Sequence, residues 1–412
     1  MSQTATSGTP DVDLGRPEVI ADPYPYYDRL RAASPVFGYK DWPPGTVPGQ
    51  DKAFPSWVIL KHAEVQQVAR DAATFSSRDP MQEASDAPTL MLVNHDPPRH
   101  SELRGIAAKA LSPPWIMTHR GYVQDTVAKM IDGLEGDEID VMDSLAPDLP
   151  AKVMAHVLGM PETAYVQFRR WATAFMLSAD LTPEERNASN IESFTYFVEK
   201  VSERFAAHEA GEPLPDDLIS SFIKAQDEGR TLTSEEVIRF CFTLVVAGAE
   251  TTTYLLGNLV WLMAEHPSIV EEMRKDRSLI GPFMNEAMRF AGPPQRLFRI
   301  ATRDAQVGHA NIREGDWVAL FFAAANRDPE VWPEPDKFIL GRPNHAKHFT
   351  LGHGIHFCLG APLARLEGEC LIEALLDRFD RIEPGEGGGR RQTASLLNYG
   401  FDTYPVRLIG RR

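Results

Sequence analysis

Apolar positions along the 412-residue chain recur at helical spacing over most of its length and at strand spacing only in short runs. A helical pattern runs from Pro23 to Ala33 and stops before Pro35. Residues 42–55, WPPGTVPGQDKAFP, carry four prolines and two glycines, and the stretch Asp41 to Pro55 is expected to be a loop. Trp57-Val58-Ile59-Leu60 then predicts a short strand. Between Arg99 and Phe240 helical patterns follow one another, separated by Pro and Gly. The best-defined element starts at Thr233, where Thr233-Ser234-Glu235-Glu236 fits a capping box. It runs to His266, and Pro267 stops it. Some thirty residues at ~1.5 Å each make a rod of roughly 45–50 Å, long enough to cross the molecule. Short β-type segments follow near Arg299–Val307 and Trp317–Phe322, and Leu396–Leu408 reads as strand and turn. The expected class is mainly α with small β-sheets. The expected organisation is a mobile segment over residues 1–20 and one domain over residues 21–412.

Charge and processing signals narrow the setting. The chain has 58 acidic and 42 basic side chains, a net charge of −16, which argues against nucleic acid as a partner. Met1 to Ile20 holds no basic n-region or apolar h-region, so no secretory signal is expected. The most apolar stretch, Phe240 to Ala264, is interrupted by Glu250, Thr251, Thr252, Thr253 and Asn258, and reads as a buried helix rather than a membrane anchor. Cys241, Cys358 and Cys370 include no CxxC pair and build no disulfide framework. A reducing, cytoplasmic location is the expectation.

Cys358 lies in the segment FTLGHGIHFCLGAPLARLE, residues 349–367. Gly352, Gly354 and Gly360 bracket it together with His356. Glycines here let the backbone turn tightly and approach something flat and bulky. Ala361 to Arg378 reads as a helix, so Cys358 sits at a helix N-terminus, where the dipole and free N–H groups favour a thiolate. Such a thiolate is a ligand for a soft metal or haem iron, or a nucleophile. A buried apolar thiol and a zinc site with His353 and His356 are the competing readings. Cys241 and Cys370 read as core thiols.

The segment resembles the haem-binding loop of the cytochrome P450 family, F-x-x-G-x-[HR]-x-C-x-G, with Leu351 standing where the pattern has Phe. Further motifs match in order along the chain from about Pro23 to its end. Glu286-Ala287-Met288-Arg289 is an ExxR motif, with acid and base three apart on one helical face. Asn326-Arg327-Asp328-Pro329 and Phe338-Ile339-Leu340-Gly341-Arg342 follow it. The resemblance implies that Glu286, Arg289 and Arg342 form a buried scaffold for the cysteine loop. Ala247-Gly248-Ala249-Glu250-Thr251-Thr252 matches the family's central helix, and Gly248 there costs ~1 kcal/mol relative to Ala. The resemblance implies a local helix distortion at this point, with Glu250 and Thr251 as the acid–alcohol pair of proton delivery. Asp96-Pro97-Pro98-Arg99-His100, followed by Arg104, is the fourth match. It implies that His100, Arg104, Arg299 and His356 hold the two propionates of haem b, with Cys358 as the iron's thiolate ligand.

The implied activity is that of a soluble bacterial-type haem-thiolate monooxygenase. It would insert one atom of dioxygen into a C–H bond of a lipophilic small molecule, with electrons from a ferredoxin and its reductase. The family's recognition segments align with Leu92, Val93, Thr243, Val246, Ala247, Pro294 and Leu397, with Arg296 and Asn398 as possible polar anchors. The Trp42–Phe54 loop is a candidate for the entrance. Arg99, Arg104, Lys109, Arg342, His345, Lys347, His348, His353 and Arg365 are candidates to dock an acidic ferredoxin. Rival readings are a peroxide-driven peroxygenase, which would not need the acid–alcohol pair, a non-catalytic haem-binding protein, and a zinc protein built on Cys358.

Overall fold

The computed structural model describes residues 12–43, 46–47, 52–79, 83, 89–176, 181–225, 229, 231–343 and 345–411. Its axis is the helix Ser234–Glu265. Thr233 Oγ1 accepts from the Glu236 N–H at 3.2 Å and Glu236 Oε2 from the Thr233 N–H at 2.9 Å, so the capping box forms as its sequence requires. The 32 residues make a rod of ~48 Å. Helices Asp148–Val157, Tyr165–Phe175, Pro183–Glu209, Ile280–Ala291 and Ala361–Arg378 pack around it. Between Cys241 and Thr252 nearly every residue is buried, and the exceptions are Leu244, Ala247, Gly248 and Thr251. Their spacing of three, one and three residues defines one stripe on the helix. At Gly248 a Cβ would stand 2.8 Å from Met154 Cε, so close approach of the neighbouring helix explains this mid-helix glycine. Among the described residues, Ser234–Glu265 is also the helix long and apolar enough to cross a membrane, and most of that apolar window is buried in the core.

The sheets are small, as expected. The largest has the strand order Val36–Trp42, Phe54–Ile59, Trp317–Leu320, Leu297–Ala301, Phe75–Ser76. Its register places Phe75 opposite Ala301 and Ser76 opposite Ile300. A second sheet joins Glu138–Asp140, Pro405–Ile409 and Arg381–Pro384. The β-type segment near Arg299–Val307 is two strands, Leu297–Ala301 and Ala305–Val307, which belong to different sheets.

Two expectations need correction. The Asp41–Pro55 stretch is a hairpin whose ends are strand: Trp42 pairs with Phe54, and both rings are buried. The Trp42 indole N–H donates to Ser56 Oγ at 2.7 Å. The strand Val36–Trp42 escaped the sequence pattern because Gly38, Lys40 and Asp41 break its alternation. Residues 44, 45 and 48–51 of the proposed entrance loop lie outside the described residues, as do residues 1–11 of the expected mobile segment. Residues 12–20 do not match that expectation: Pro17–Ala21 is helical, and Leu14, Val19 and Ile20 are buried.

Candidate active site

The cysteine loop is built on glycine. Gly352 and Gly354 adopt φ of 73° and 66°. A Cβ on Gly352 would lie 2.9 Å from the His356 carbonyl oxygen, and one on Gly354 would lie 2.7 Å from that of Ala69. The Cys358 N–H donates to the Leu351 carbonyl at 2.7 Å and closes the turn. The helix Ala361–Arg378 begins just beyond. Cys358 is exposed, whereas Cys241 and Cys370 are buried. Burial pushes the Cys241 thiol up and the Cys370 thiol up to about 12, so both are inert core thiols.

At Cys358 the electrostatics are divided. Desolvation by the crowded surroundings raises the thiol, while the Gly360 and Ala361 N–H groups and Arg104 lower it. The net direction is upward, so the helix terminus alone does not produce the expected thiolate. A bound metal ion would reverse that balance, because a coordinating thiol is deprotonated outright.

Cationic and donor groups converge beside the loop. His100 lies on the helix Arg99–Ala110, is only 1% exposed, and has no partner at either ring nitrogen. Its ring centroid is 4.5 Å from that of His356. His356 Nε2 hydrogen-bonds Ser77 Oγ at 2.9 Å. Buried Arg299 donates to the adjacent Phe298 carbonyl at 2.7 Å, and Arg104 donates to the Phe357 carbonyl at 2.7 Å. Burial, then Arg104, pushes His100 down to about 4. Burial, then Arg299, His100 and Arg104, pushes His356 down to about 2. Asp96 acts electrostatically on His100 and Arg299, but it accepts the Ser76 hydroxyl and, at 3.0 Å, the Ser77 N–H. Among the described residues, no carboxylate hydrogen-bonds or ion-pairs with any of these four basic groups. The donor set fits haem: a thiol for the iron and four donors for two carboxylates. Ser76 and Ser77 were missed in the sequence, since only strand pairing brings them beside Arg299 and His356.

The ExxR network is fully partnered. Arg289 donates to both oxygens of Glu286 at 2.8 Å and to the carbonyls of Asn326, Pro335 and Lys337. Arg342 Nε donates to Glu286 Oε1 at 3.0 Å, and its other nitrogens reach the carbonyls of Pro333, Glu334 and Lys337. The connection to the cysteine loop runs through Asn326. Its Oδ1 accepts from the Phe349 N–H at 2.7 Å, and its Nδ2 donates to Thr350 Oγ1 at 3.0 Å. The motif Asn326-Arg327-Asp328-Pro329 carries no local sign of this role, because Phe349 and Thr350 lie more than twenty residues away.

On the central helix, Thr251 belongs to the accessible stripe and donates to the Ala247 carbonyl at 2.7 Å. Glu250 is buried on another face and accepts from Asn398 Nδ2 at 3.0 Å. Neighbours in a helix do not share a face. The helix is α throughout, so the implied distortion is not a break in it; the Thr251 and Thr253 back-bonds to Ala247 and Ala249 mark the place.

The substrate candidates separate by placement. Pro294 and Leu397 are half-buried and adjacent, since the Gln295 N–H donates to the Leu397 carbonyl at 2.8 Å. Ala247 lies on the stripe with Leu244, which the sequence reading missed. Val246 is fully buried in the core, and Thr243 Oγ1 accepts from the Met91 N–H at 2.8 Å, so these two do not face the stripe. Leu92 is buried with φ of 67°, next to exposed Val93. The Arg296 guanidinium stacks on Trp42 and Phe321, 5.1 and 4.9 Å from their ring centroids.

The proposed docking set also shrinks. Arg342 is buried in the ExxR network and His348 is buried, while Arg99 is paired with Glu102 and Glu236. The His345 side chain lies outside the described residues. The zinc reading loses its ligands: His353 accepts from Arg70 Nε at 2.9 Å and His356 bonds Ser77. Among the described residues no group of three or more His, Cys, Asp or Glu could hold a metal ion.

Comparison with known proteins gives a consistent result. A family model described as Cytochrome P450 matches residues 153–397. The cytochrome P450 monooxygenase PikC of Streptomyces venezuelae is 33% identical over 400 residues, covering 93% of this chain and 92% of that protein. The erythromycin C-12 hydroxylase of Saccharopolyspora erythraea is 35% identical over 359 residues, covering 85% and 88%. The solved structure of cytochrome P450 CYP109Q5 from Chondromyces apiculatus superposes with a TM-score of 0.84 at 31% identity, covering 97% of this chain and 98% of that one.

Proposed function

The chain belongs to the cytochrome P450 family and is an oxidoreductase of its monooxygenase class, and on that premise we propose that it hydroxylates a lipophilic small molecule as a haem-thiolate enzyme fed by a ferredoxin. The observation that carries the reading is the exposed Cys358 thiol beside four basic groups that, among the described residues, pair with no carboxylate. When bound, haem b supplies the activation of dioxygen, so that two electrons and two protons send one oxygen atom into a C–H bond and the other to water.

The chain's own groups take definite parts. Cys358 would hold the iron as a thiolate. His100, Arg104, Arg299 and His356 would hold the two propionates through charge-assisted hydrogen bonds. Thr251, on the accessible stripe, is the hydroxyl placed to pass protons, and Glu250, on the neighbouring face, is the buried acid of the pair. Leu92, Leu244, Ala247, Pro294 and Leu397 offer apolar surface to a substrate. The relative named as an erythromycin hydroxylase supports a bulky, lipophilic substrate class. Lys109, Lys347 and Arg365 remain candidates for the ferredoxin-docking surface. Electron transfer should then slow as ionic strength rises, because steering by surface charge is screened.

The decisive test is the reduced, carbon monoxide-bound spectrum. A strongly red-shifted Soret band that Cys358→Ser abolishes supports thiolate ligation. A purified chain that takes up no haem overturns it.

A further inference from the structure

Residues 89–99 are tied along the N-terminal half of the central helix, and the ties end where the accessible stripe begins. Arg99 pairs with Glu236. Arg239 Nη1 donates to Thr89 Oγ1 at 2.9 Å. The Met91 N–H donates to Thr243 Oγ1 at 2.8 Å, and both residues are buried. Glu236, Arg239 and Thr243 are spaced by three and four residues, so they share one face of the helix. Ala247 and Thr251, both on the stripe, continue that face in steps of four. Around the Met91 tie the chain makes a closed turn. The Asn94 N–H donates to the Leu90 carbonyl at 3.1 Å, and the Leu90 N–H donates to Asn94 Oδ1 at 2.9 Å. At the apex, Leu92 has φ of 67° and is buried. Left-handed backbone disfavours a bulky residue, whereas glycine adopts it freely. A leucine held there is kept for its side chain, against the preference of its backbone.

We propose that Thr243 is a positioning residue: it anchors the Leu90–Asn94 turn and so makes Leu92 the wall at the N-terminal end of the substrate site, setting how long a substrate the site accepts. The inference rests on the reading of the stripe as substrate surface over a bound haem. A hydroxyl at position 243 has a physical reason. It is the acceptor of the buried Met91 N–H. Without it that donor is left unsatisfied, and the turn has to shift to find another acceptor. The Arg239 tie reaches Thr89, at the start of the segment, whereas the Met91 tie lies next to the apex. The placement of Leu92 therefore depends on Thr243 more than on Arg239. Leu244, the first residue of the stripe, directly follows Thr243, so anchor and substrate surface share one turn of helix. The substrate class this arrangement selects is an elongated lipophilic molecule that lies along the stripe from Thr251 toward Leu244 and is stopped by Leu92.

The test uses Thr243→Val, which keeps the shape and removes the acceptor, Thr243→Ser, which keeps the acceptor, and Leu92→Ala. In haem-free protein, amide hydrogen exchange at Met91 should quicken about fivefold in Thr243→Val, the worth of one buried hydrogen bond, and stay at the parent rate in Thr243→Ser. In haem-loaded protein the probe is a series of N-alkylimidazoles of increasing chain length. The ring ligates the iron and shifts the Soret band, and the tail occupies the substrate space. The longest tails should bind about tenfold tighter in Leu92→Ala, which makes room for about two more methylenes, and about threefold tighter in Thr243→Val. Thr243→Ser should again match the parent. A Met91 amide that exchanges at the parent rate in Thr243→Val, or a chain-length profile that Leu92→Ala leaves unchanged, overturns the inference. If the parent chain takes up no haem, the haem reading fails instead, and Met91 exchange still decides whether Thr243 holds the turn.

Discussion

Two clusters of basic side chains, equally buried, follow opposite rules. Arg289 and Arg342 are 1% and 3% exposed, and the structure gives every one of their guanidinium nitrogens an acceptor. His100 and Arg299 are 1% and 8% exposed, yet His100 has no partner and Arg299 reaches only the adjacent backbone carbonyl. Burying a charge or donor without a partner is costly, so a fold keeps such groups where something else completes them. The comparison separates scaffold from binding site by partners, since neither burial nor residue type does so.

The largest effect expected is on the scaffold side. Arg289→Ala should destabilise the haem-free protein by about 3–5 kcal/mol, because Glu286 is left buried with one cation fewer. Urea unfolding checks this, and a loss under ~1 kcal/mol would remove the distinction. On the other side, Arg299→Leu and His100→Phe should leave haem-free stability unchanged or raise it, since they delete a buried cation with a single backbone acceptor and a buried ring with no partner. The same substitutions should speed haem transfer to apomyoglobin about tenfold, the worth of one charge-assisted hydrogen bond. Comparable destabilisation in both clusters would break the comparison.

Glu367, on the cysteine helix, sharpens it with a buried acid whose Oε2 has no partner. Burial alone pushes its carboxyl up to about 8 from 4.5. Folded protein therefore keeps a proton that the unfolded chain releases above about 4.5. Its contribution to stability is intact below that pH and is lost as pH rises through about 8. Glu367→Gln should open a stability advantage over the parent that grows by roughly 1 kcal/mol per pH unit across this window. Unfolding at pH 5 and pH 8 measures it. A constant difference would show that Glu367 is paired in solution.

The legible parts were those written locally. The capping box at Thr233 to Glu236, the glycines around Cys358 and the i, i+3 pair Glu286–Arg289 each lie within a few residues, so backbone geometry alone dictates their form. Partners far apart in sequence were not legible. Ser77 meets His356 across 279 residues, and Asn398 meets Glu250 across 148. The Val36–Trp42 strand was hidden for a related reason: cross-strand pairing and burial of Trp42 against Phe298 override a polar, glycine-containing segment.

Sequence by itself determined the family, the cysteine loop and the long helix, because spacing controls which side chains share a turn and which backbone angles are allowed. Only the tertiary structure decided which face each helical residue uses. It turned Thr243 and Val246 away from the stripe that holds Leu244, Ala247 and Thr251, and it turned Glu250 toward Asn398. It also decided which charges are paired. A buried cation's meaning depends on the acceptors brought to it, and those arrive from elements that the chain order keeps apart.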